Sequence, residues 1–387
     1  MNQTNFLDSL IVNIYQKAFN RGLLNNLPIT YIDEPEIAQT ILRNSEIFQK
    51  NYSFLESLSV GRLSTNGDEW KKRASLTQPF LAKYEERINE KQIKEIYSKH
   101  LKKFFNGGSE DLFQCFIDAA MEVIFIVFAL PPKTAWPAAT LHQIRGLLNL
   151  QQAAAWGYGP SSQFSIYQKQ LEQLCNEIGH IWSQDAQMAQ FLYSLKEKAG
   201  FSQFDPVKEL VQVFQAASET TASTLLWTVE CLLRHPGARL NLIKSGSEER
   251  RDLFTKEVLR LFPPLPFVTR VCVQDFEQEK FNFKQGEVIL VSIIGLHCHP
   301  TYWSSPVEFN AERPEFLNNS FQKSAYIPFL SGPRSCGGMR LANQELHSAL
   351  DAILHLCKFG EYQEAVKIDY GITSRPGNRL EKYLSMR

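Results

Sequence analysis

The stretch Pro328-Phe329-Leu330-Ser331-Gly332-Pro333-Arg334-Ser335-Cys336-Gly337-Gly338 presents one cysteine on a glycine-interrupted loop, just ahead of a run of helical composition from Leu341 to Leu350. Gly332 and Gly338 allow backbone turns that a side chain would obstruct. Arg334, two positions before the cysteine, offers a guanidinium to an anionic group. A cysteine where a helix begins meets backbone N–H groups and the positive end of the helix dipole, and both favour an anionic sulfur. The loop therefore reads as a thiolate ligand site. For a lone cysteine, an inert side chain buried in a turn is the standing alternative.

The rest of the composition sets bounds. The 387 residues exceed the usual size of one domain, yet no Pro/Gly/Ser-rich or charged linker divides them, so a single domain over 1–387 is expected. Lysine and arginine total 41 against 41 acidic residues, which gives no electrostatic bias toward nucleic acid or an acidic membrane surface. Met1 to Leu24 contains Asp8, Lys17 and Arg21 and no long apolar run, so neither a signal peptide nor a membrane anchor is expected. The seven scattered cysteines are an odd number, which suits reduced thiols in a cytoplasm.

Along the chain, Thr30 to Leu42 reads as a short strand, an Asp/Pro boundary and an amphipathic helix. Dense apolar recurrence predicts helices over Asp111–Leu130 and Ala138–Ala155, with a break at Pro131-Pro132. Trp156 to Ser162 interrupts the helical pattern and is expected to form a loop. Alternation around Phe281–Phe283 and Gly286–Val291 predicts short strands, and Tyr370 to Gly377 a hairpin. Glu257 and Arg260 share a helical face. His297-Cys298-His299 lacks the separated pairs of a closed zinc site, so no second metal is expected. No phosphate-binding loop, flavin domain or ferredoxin-type cysteine cluster is legible.

Phe329, Gly332, Arg334, Cys336 and Gly338 match without a gap the F-x-x-G-x-R-x-C-x-G signature of cytochrome P-450. The chain resembles that family in its soluble, bacterial type. The resemblance implies a mainly α fold with small β-sheets and a single haem b between an oxygen-side helix and the cysteine loop. Cys336 would be the proximal iron ligand, with Phe329 packed by the sulfur and Arg334 on a haem propionate. Further motifs follow in the family's order. Gly67 to Arg73 resembles the helix at the haem edge, contributing Trp70 and Arg73, although Ala74 stands where the family has Arg or His. Phe214 to Thr221 resembles the oxygen-side helix: Thr220 would approach the Ala216 carbonyl and help open the helix, Glu219 would pass protons, and Ala217 replaces the usual glycine. Glu257 and Arg260 form the E-x-x-R pair, with Arg313 of Phe309 to Arg313 as third partner in a structural triad. Arg270 would meet a propionate. Ala216, Ala217, Phe267, Val268, Ile372 and Thr373 would line the substrate pocket, with Tyr52, Phe54 and Leu55 nearby and a lid over Trp156–Ser162. The amino-terminal segment is expected to be abbreviated.

The activity so implied is a cytoplasmic, monomeric monooxygenase of secondary metabolism that uses O2 on a small organic substrate, lipophilic or aromatic. Electrons would come from a ferredoxin or flavodoxin and its reductase, so NAD(P)H enters indirectly. Two other readings keep the haem: oxidative radical coupling of phenolic or aromatic molecules, and a non-catalytic haem sensor or carrier. The 12% aromatic content does not decide among them, since most aromatic side chains serve the core.

Overall fold

The computed structural model describes residues 14–15, 29–51, 61–82, 86–108, 111–128, 164–200, 204–278, 281–370 and 373–387. Expectations placed on 138–155, on 156–162, on Tyr52, Phe54 and Leu55 and on Ile372 lie outside them. Strand β1 (Thr30–Ile32) leads into α1 (Pro35–Arg43), whose proline at the first turn needs no N–H partner, and β2 (Phe48–Lys50) follows. Then come α2 (Gly67–Ala82), α3 (Glu90–Lys103), α4 (Leu112–Val127), α5 (Phe164–Ser183) and α6 (Ala186–Ala199). The long α7 (Pro206–Arg234) precedes α8 (Pro236–Ser245) and α9 (Glu248–Leu261). A strand-rich stretch holds β3 (Phe267–Cys272), β4 (Phe276–Gln278), β5 (Phe281–Phe283) and β6 (Val288–Ser292), closed by α10 (Ile293–His297) and α11 (Pro314–Leu317). After the cysteine loop come α12 (Met339–Leu356), β7 (Cys357–Phe359), β8 (Ile368–Tyr370), β9 (Ser374–Pro376) and β10 (Leu384–Met386). The helices start where capping chemistry sits. Asn89 and Gln92 form a reciprocal capping box on α3, and Asp205 accepts from the N–H groups of Val207 and Lys208 on α7.

Four helices make the core: α12 lies on α3, α3 on α4, α4 on α7, and α7 back on α12. Tyr97, Phe116, Leu225, Trp227 and Leu350 are fully enclosed between them. Each such side chain contributes roughly 1.5–3 kcal/mol by leaving water. A mixed sheet of order β1-β6-β3-β2 forms the second layer. Its β3 runs antiparallel to both β6 and β2, in a register that sets Arg270 opposite Lys50. Its apolar side chains, among them Val268, Ile289 and Val291, pack on α1 through Ile37 and Ile41.

Charged groups pin α7 near both ends. Toward its start, Glu209 is buried and accepts from the Arg62 backbone N–H at 2.9 Å and from the Arg73 guanidinium. Toward its end, Glu230 bonds Arg234 at 2.6 Å and the Tyr362 hydroxyl at 2.8 Å, and Asn378 donates to the same hydroxyl at 2.7 Å. No helix among the described residues is long and apolar enough to cross a membrane.

Candidate active site

The cysteine loop is held by its own backbone. The Cys336 N–H donates to the Phe329 carbonyl at 2.9 Å, and the Ser335 N–H to the Gly332 carbonyl at 3.1 Å. Leu330 sits at φ 62°, a left-handed conformation that costs a side-chain-bearing residue about 1 kcal/mol or more. Gly332, at φ 74°, lies so near the end of α1 that a Cβ there would stand 2.5 Å from the Leu42 carbonyl oxygen. Gly338 differs from its sequence reading. Its φ is −100° and a Cβ would meet nothing within 4 Å, so the turn there does not require glycine. Gly338 instead contributes its N–H to the Cys336 sulfur. Cys336 is the one exposed cysteine, the other six being buried. Surrounding protein pushes its thiol up, while the Gly338 N–H and the nearby Arg62 charge pull the other way. Phe329 packs from the loop onto the main core.

Cations gather beside this loop. Arg334 is buried, its guanidinium 4.0 Å over the Trp70 ring, and it donates to the Arg62 carbonyl at 3.2 Å and to Asn66 Oδ1 at 2.9 Å. Asn66 also clamps the Lys50 backbone, accepting from its N–H at 3.0 Å and donating to its carbonyl at 3.1 Å. Burial first, then repulsion from Arg270, Arg334 and Arg62, pushes the Lys50 ammonium well below the usual lysine range. Arg62 donates to Thr77 and to Gln78 Oε1, each at 3.0 Å, and Gln78 donates to the Gly337 carbonyl at 3.3 Å. Lys50 and Arg62 escape sequence reasoning. Only the β2–β3 register, formed by a strand of three residues, brings Lys50 to Arg270.

Arg73 departs from its expected place. It is fully buried and turned to carboxylates, bonding Glu69 at 2.6 Å as well as Glu209, which ties α2 to α7. Its position three rather than four residues after Trp70 turns it about 100° around the helix from the place the family uses.

On α7 the Thr220 hydroxyl donates to the Ala216 carbonyl at 2.8 Å, and the helix continues through it. Ala216 is exposed and Ala217 half-buried against the core. Glu219 is 5% exposed and accepts from Thr373 at 3.1 Å. Two expected pocket residues stand elsewhere. Val268 belongs to the sheet core with Ile37 and Ile41, because the alternation of β3 turns it inward. The Thr373 hydroxyl is engaged by Glu219 and Ser223, in a buried site. Phe267 packs partly buried against Leu261, Leu290 and Ile294.

Glu257, Arg260 and Arg313 come together in full burial. Glu257 accepts from Arg260 at 2.7 and 2.8 Å, from Arg313 at 2.8 and 2.9 Å, and from the Asn310 N–H at 2.9 Å. The remaining guanidinium N–H groups hold the end of α10 and the loop after it: Arg260 donates to the carbonyls of His297 and Pro306, and Arg313 to that of Glu308. His297 is structural here, accepting the Ile327 N–H at 2.9 Å, and Cys298 lies in an apolar cluster with Leu261 and Leu290.

Residues 252–377 match the cytochrome P-450 family model. Cytochrome P-450 6d3 of Musca domestica is 32% identical over 162 residues, covering 36% of this chain and 31% of that protein. Cytochrome P-450 3A11 of Mus musculus is 32% identical over 166 residues, covering 38% and 33%. The matched segments thus span about a third of the length of these curated relatives. The fold resembles a solved cytochrome P-450DA mutant heme domain with a TM-score of 0.75 and 17% identity, over 92% of this chain and 87% of that one.

That family carries haem b. The donor set fits it: a single exposed thiol, raised by burial but with an N–H and a cation opposing that rise, beside Lys50 and the arginines Arg62, Arg270 and Arg334, whose repulsion of the Lys50 ammonium a group bearing two carboxylates would relieve. The cysteine-loop geometry, the family match from within α9 to the last hairpin and the likeness of fold over 92% of the chain lead to one conclusion: this chain has the fold of a P-450 heme domain, and its residues 252–377 match the cytochrome P-450 family.

Proposed function

We propose that the protein is a haem-thiolate monooxygenase that oxidises a small organic molecule, lipophilic or aromatic, with O2 and externally supplied electrons. The observation that carries this reading is the exposed Cys336 on a backbone-locked loop, bordered by the four-cation cluster. Haem b, when bound, supplies oxygen activation, and a cysteinate ligand favours O–O cleavage by pushing electron density onto iron. Cys336 would hold the iron as a thiolate, with the Gly338 N–H and the Arg62 charge opposing the rise that burial gives its thiol. Lys50, Arg62, Arg270 and Arg334 would hold the propionates. Thr220 keeps its hydroxyl proton on the Ala216 carbonyl until it is needed. Glu219, which accepts a hydrogen bond from the Thr373 hydroxyl, is the group that takes up and gives out protons on this stretch of α7. The Ala216 methyl, with Ala217 beside it, keeps that stretch of α7 apolar, which suits a lipophilic molecule. A ferredoxin or flavodoxin with its NAD(P)H-dependent reductase supplies the electrons.

The test combines spectroscopy and labelling. Reduced protein under carbon monoxide is expected to give the haem-thiolate Soret band, and Cys336→Ala to lose it. Turnover under isotopic O2 across a library of lipophilic compounds is expected to place label in a hydroxylated product. An unlabelled coupled dimer as sole product would replace insertion by radical coupling.

A further inference from the structure

The carboxyl group of Glu219 is met by a residue 154 positions away: Thr373 donates from Oγ1 to Glu219 Oε1 at 3.1 Å. Ser223 stands 2.6 Å from the same Thr373 oxygen. Glu219 and Ser223 are four residues apart on α7 and so share a face. All three are 5% exposed or less. A hydroxyl carries one hydrogen, so while Thr373 donates to the carboxylate, Ser223 is the donor to Thr373.

Thr373 is firmly placed. The following residue, Ser374, is bonded four ways: its N–H to the Pro264 carbonyl at 2.9 Å, its carbonyl from Trp227 Nε1 at 3.0 Å, and its hydroxyl to the Pro263 carbonyl and from the Tyr15 hydroxyl, each at 3.0 Å. The start of β9 is thus fastened to α7 and to the segment after α9, which leaves Thr373 little freedom to follow a wandering carboxylate.

We propose that Thr373, backed by Ser223, is a positioning residue that fixes the Glu219 carboxyl and governs its supply of protons, an inference that rests on the monooxygenase reading above. The chain Ser223–Thr373–Glu219 can reverse without any heavy atom moving. When Glu219 takes up a proton at Oε1 it becomes the donor to Thr373, whose hydrogen turns to the Ser223 oxygen. The carboxyl therefore keeps a partner in either state, and burial does not force it to stay in one of them.

The experiment reads Glu219 directly, by infrared difference between the wild-type holoprotein and Glu219→Gln, and separately follows how electrons from NAD(P)H divide between product and hydrogen peroxide. Thr373→Val is expected to move the Glu219 band and to raise the peroxide share about fivefold, the weight of one hydrogen bond. Thr373→Ser is expected to restore both, and substrate affinity read from the spin-shift spectrum is expected to stay unchanged in both variants. An unmoved band, an unchanged partition in Thr373→Val, or the same loss in Thr373→Ser would overturn the proposal. Should Thr373→Val fail to fold, Ser223→Ala removes the outer link alone and is read by the same criteria. A band that moves in Thr373→Val while the wild type gives no haem-thiolate spectrum would refute the monooxygenase reading and reduce Thr373 to a structural link, so the spectrum tells the two failures apart.

Discussion

Lys50 on β2 and Arg270 on β3 stand opposite one another across an antiparallel ladder, two cations where a sheet usually opposes a cation with an anion. The arrangement burdens the protein without its cofactor and suits the dianionic edge of haem. Lys50→Met is therefore expected to act with opposite sign on the two forms. The apoprotein should gain about 0.2–1 kcal/mol, read from urea midpoints. Haem retention, followed by transfer to an acceptor apoprotein, should weaken roughly tenfold.

Removing the anion of the buried triad is a harsher change. Glu257→Ala leaves Arg260 and Arg313 fully buried with no carboxylate, and about 3–5 kcal/mol of stability should be lost. Glu257→Gln keeps an acceptor but not the charge and should lie in between. Thermal melting of the three proteins checks the order.

The two glycines of the cysteine signature should respond differently to alanine. Gly332→Ala forces a methyl against the Leu42 carbonyl at a positive φ, and should cost more than about 2 kcal/mol and lower haem content. Gly338→Ala meets open space at a negative φ and should stay within about 0.5 kcal/mol of wild type. Equal losses in the two variants would contradict this account of the loop.

Sequence reading recovered the features whose determinants lie close together along the chain. The Cys336 loop and the Glu257–Arg260 pair are local, and Arg313 was reached through a second short motif. The cation cluster was half legible: Arg270 and Arg334 belong to motifs, whereas Lys50 arrives through strand register and Arg62 through bonds to Thr77 and Gln78. Arg73 was misplaced because its buried partner Glu209 lies 136 residues away on another helix. Thr373 reads as a pocket wall in the sequence for a related reason, since nothing in its neighbourhood along the chain announces Glu219.

Two buried groups give stability opposite slopes with pH. Burial, with repulsion from Arg260, lowers His297 to about 3 from 6.5. The unfolded chain binds the extra proton between those values, so the stability due to this group is complete above 6.5 and is lost as pH falls toward 3. Each unit in that window costs up to about 1.4 kcal/mol. Burial raises Glu345 to about 8 from 4.5, although Tyr97 donates to it at 2.5 Å. Here the folded chain holds the extra proton, so the contribution is complete below 4.5 and is lost as pH rises toward 8. Glu345→Gln, which stays neutral, should flatten the alkaline slope and leave the acid slope in place. Urea midpoints from pH 4 to 9 measure both.

The paired anchorage of α7 limits how that helix can move. Glu209 is tied to Arg62 and Arg73 near one end, and near the other Glu230 is tied to the Tyr362 hydroxyl and Arg234 to the Glu364 carbonyl, so a slide of the helix along its axis would break contacts of charged groups at both ends together. The helix is in effect a fixed rail. Under the proposed monooxygenase reading, admission of a bulky guest would then come from displacement of the elements around α7, with the Ala216–Thr220 stretch held in place.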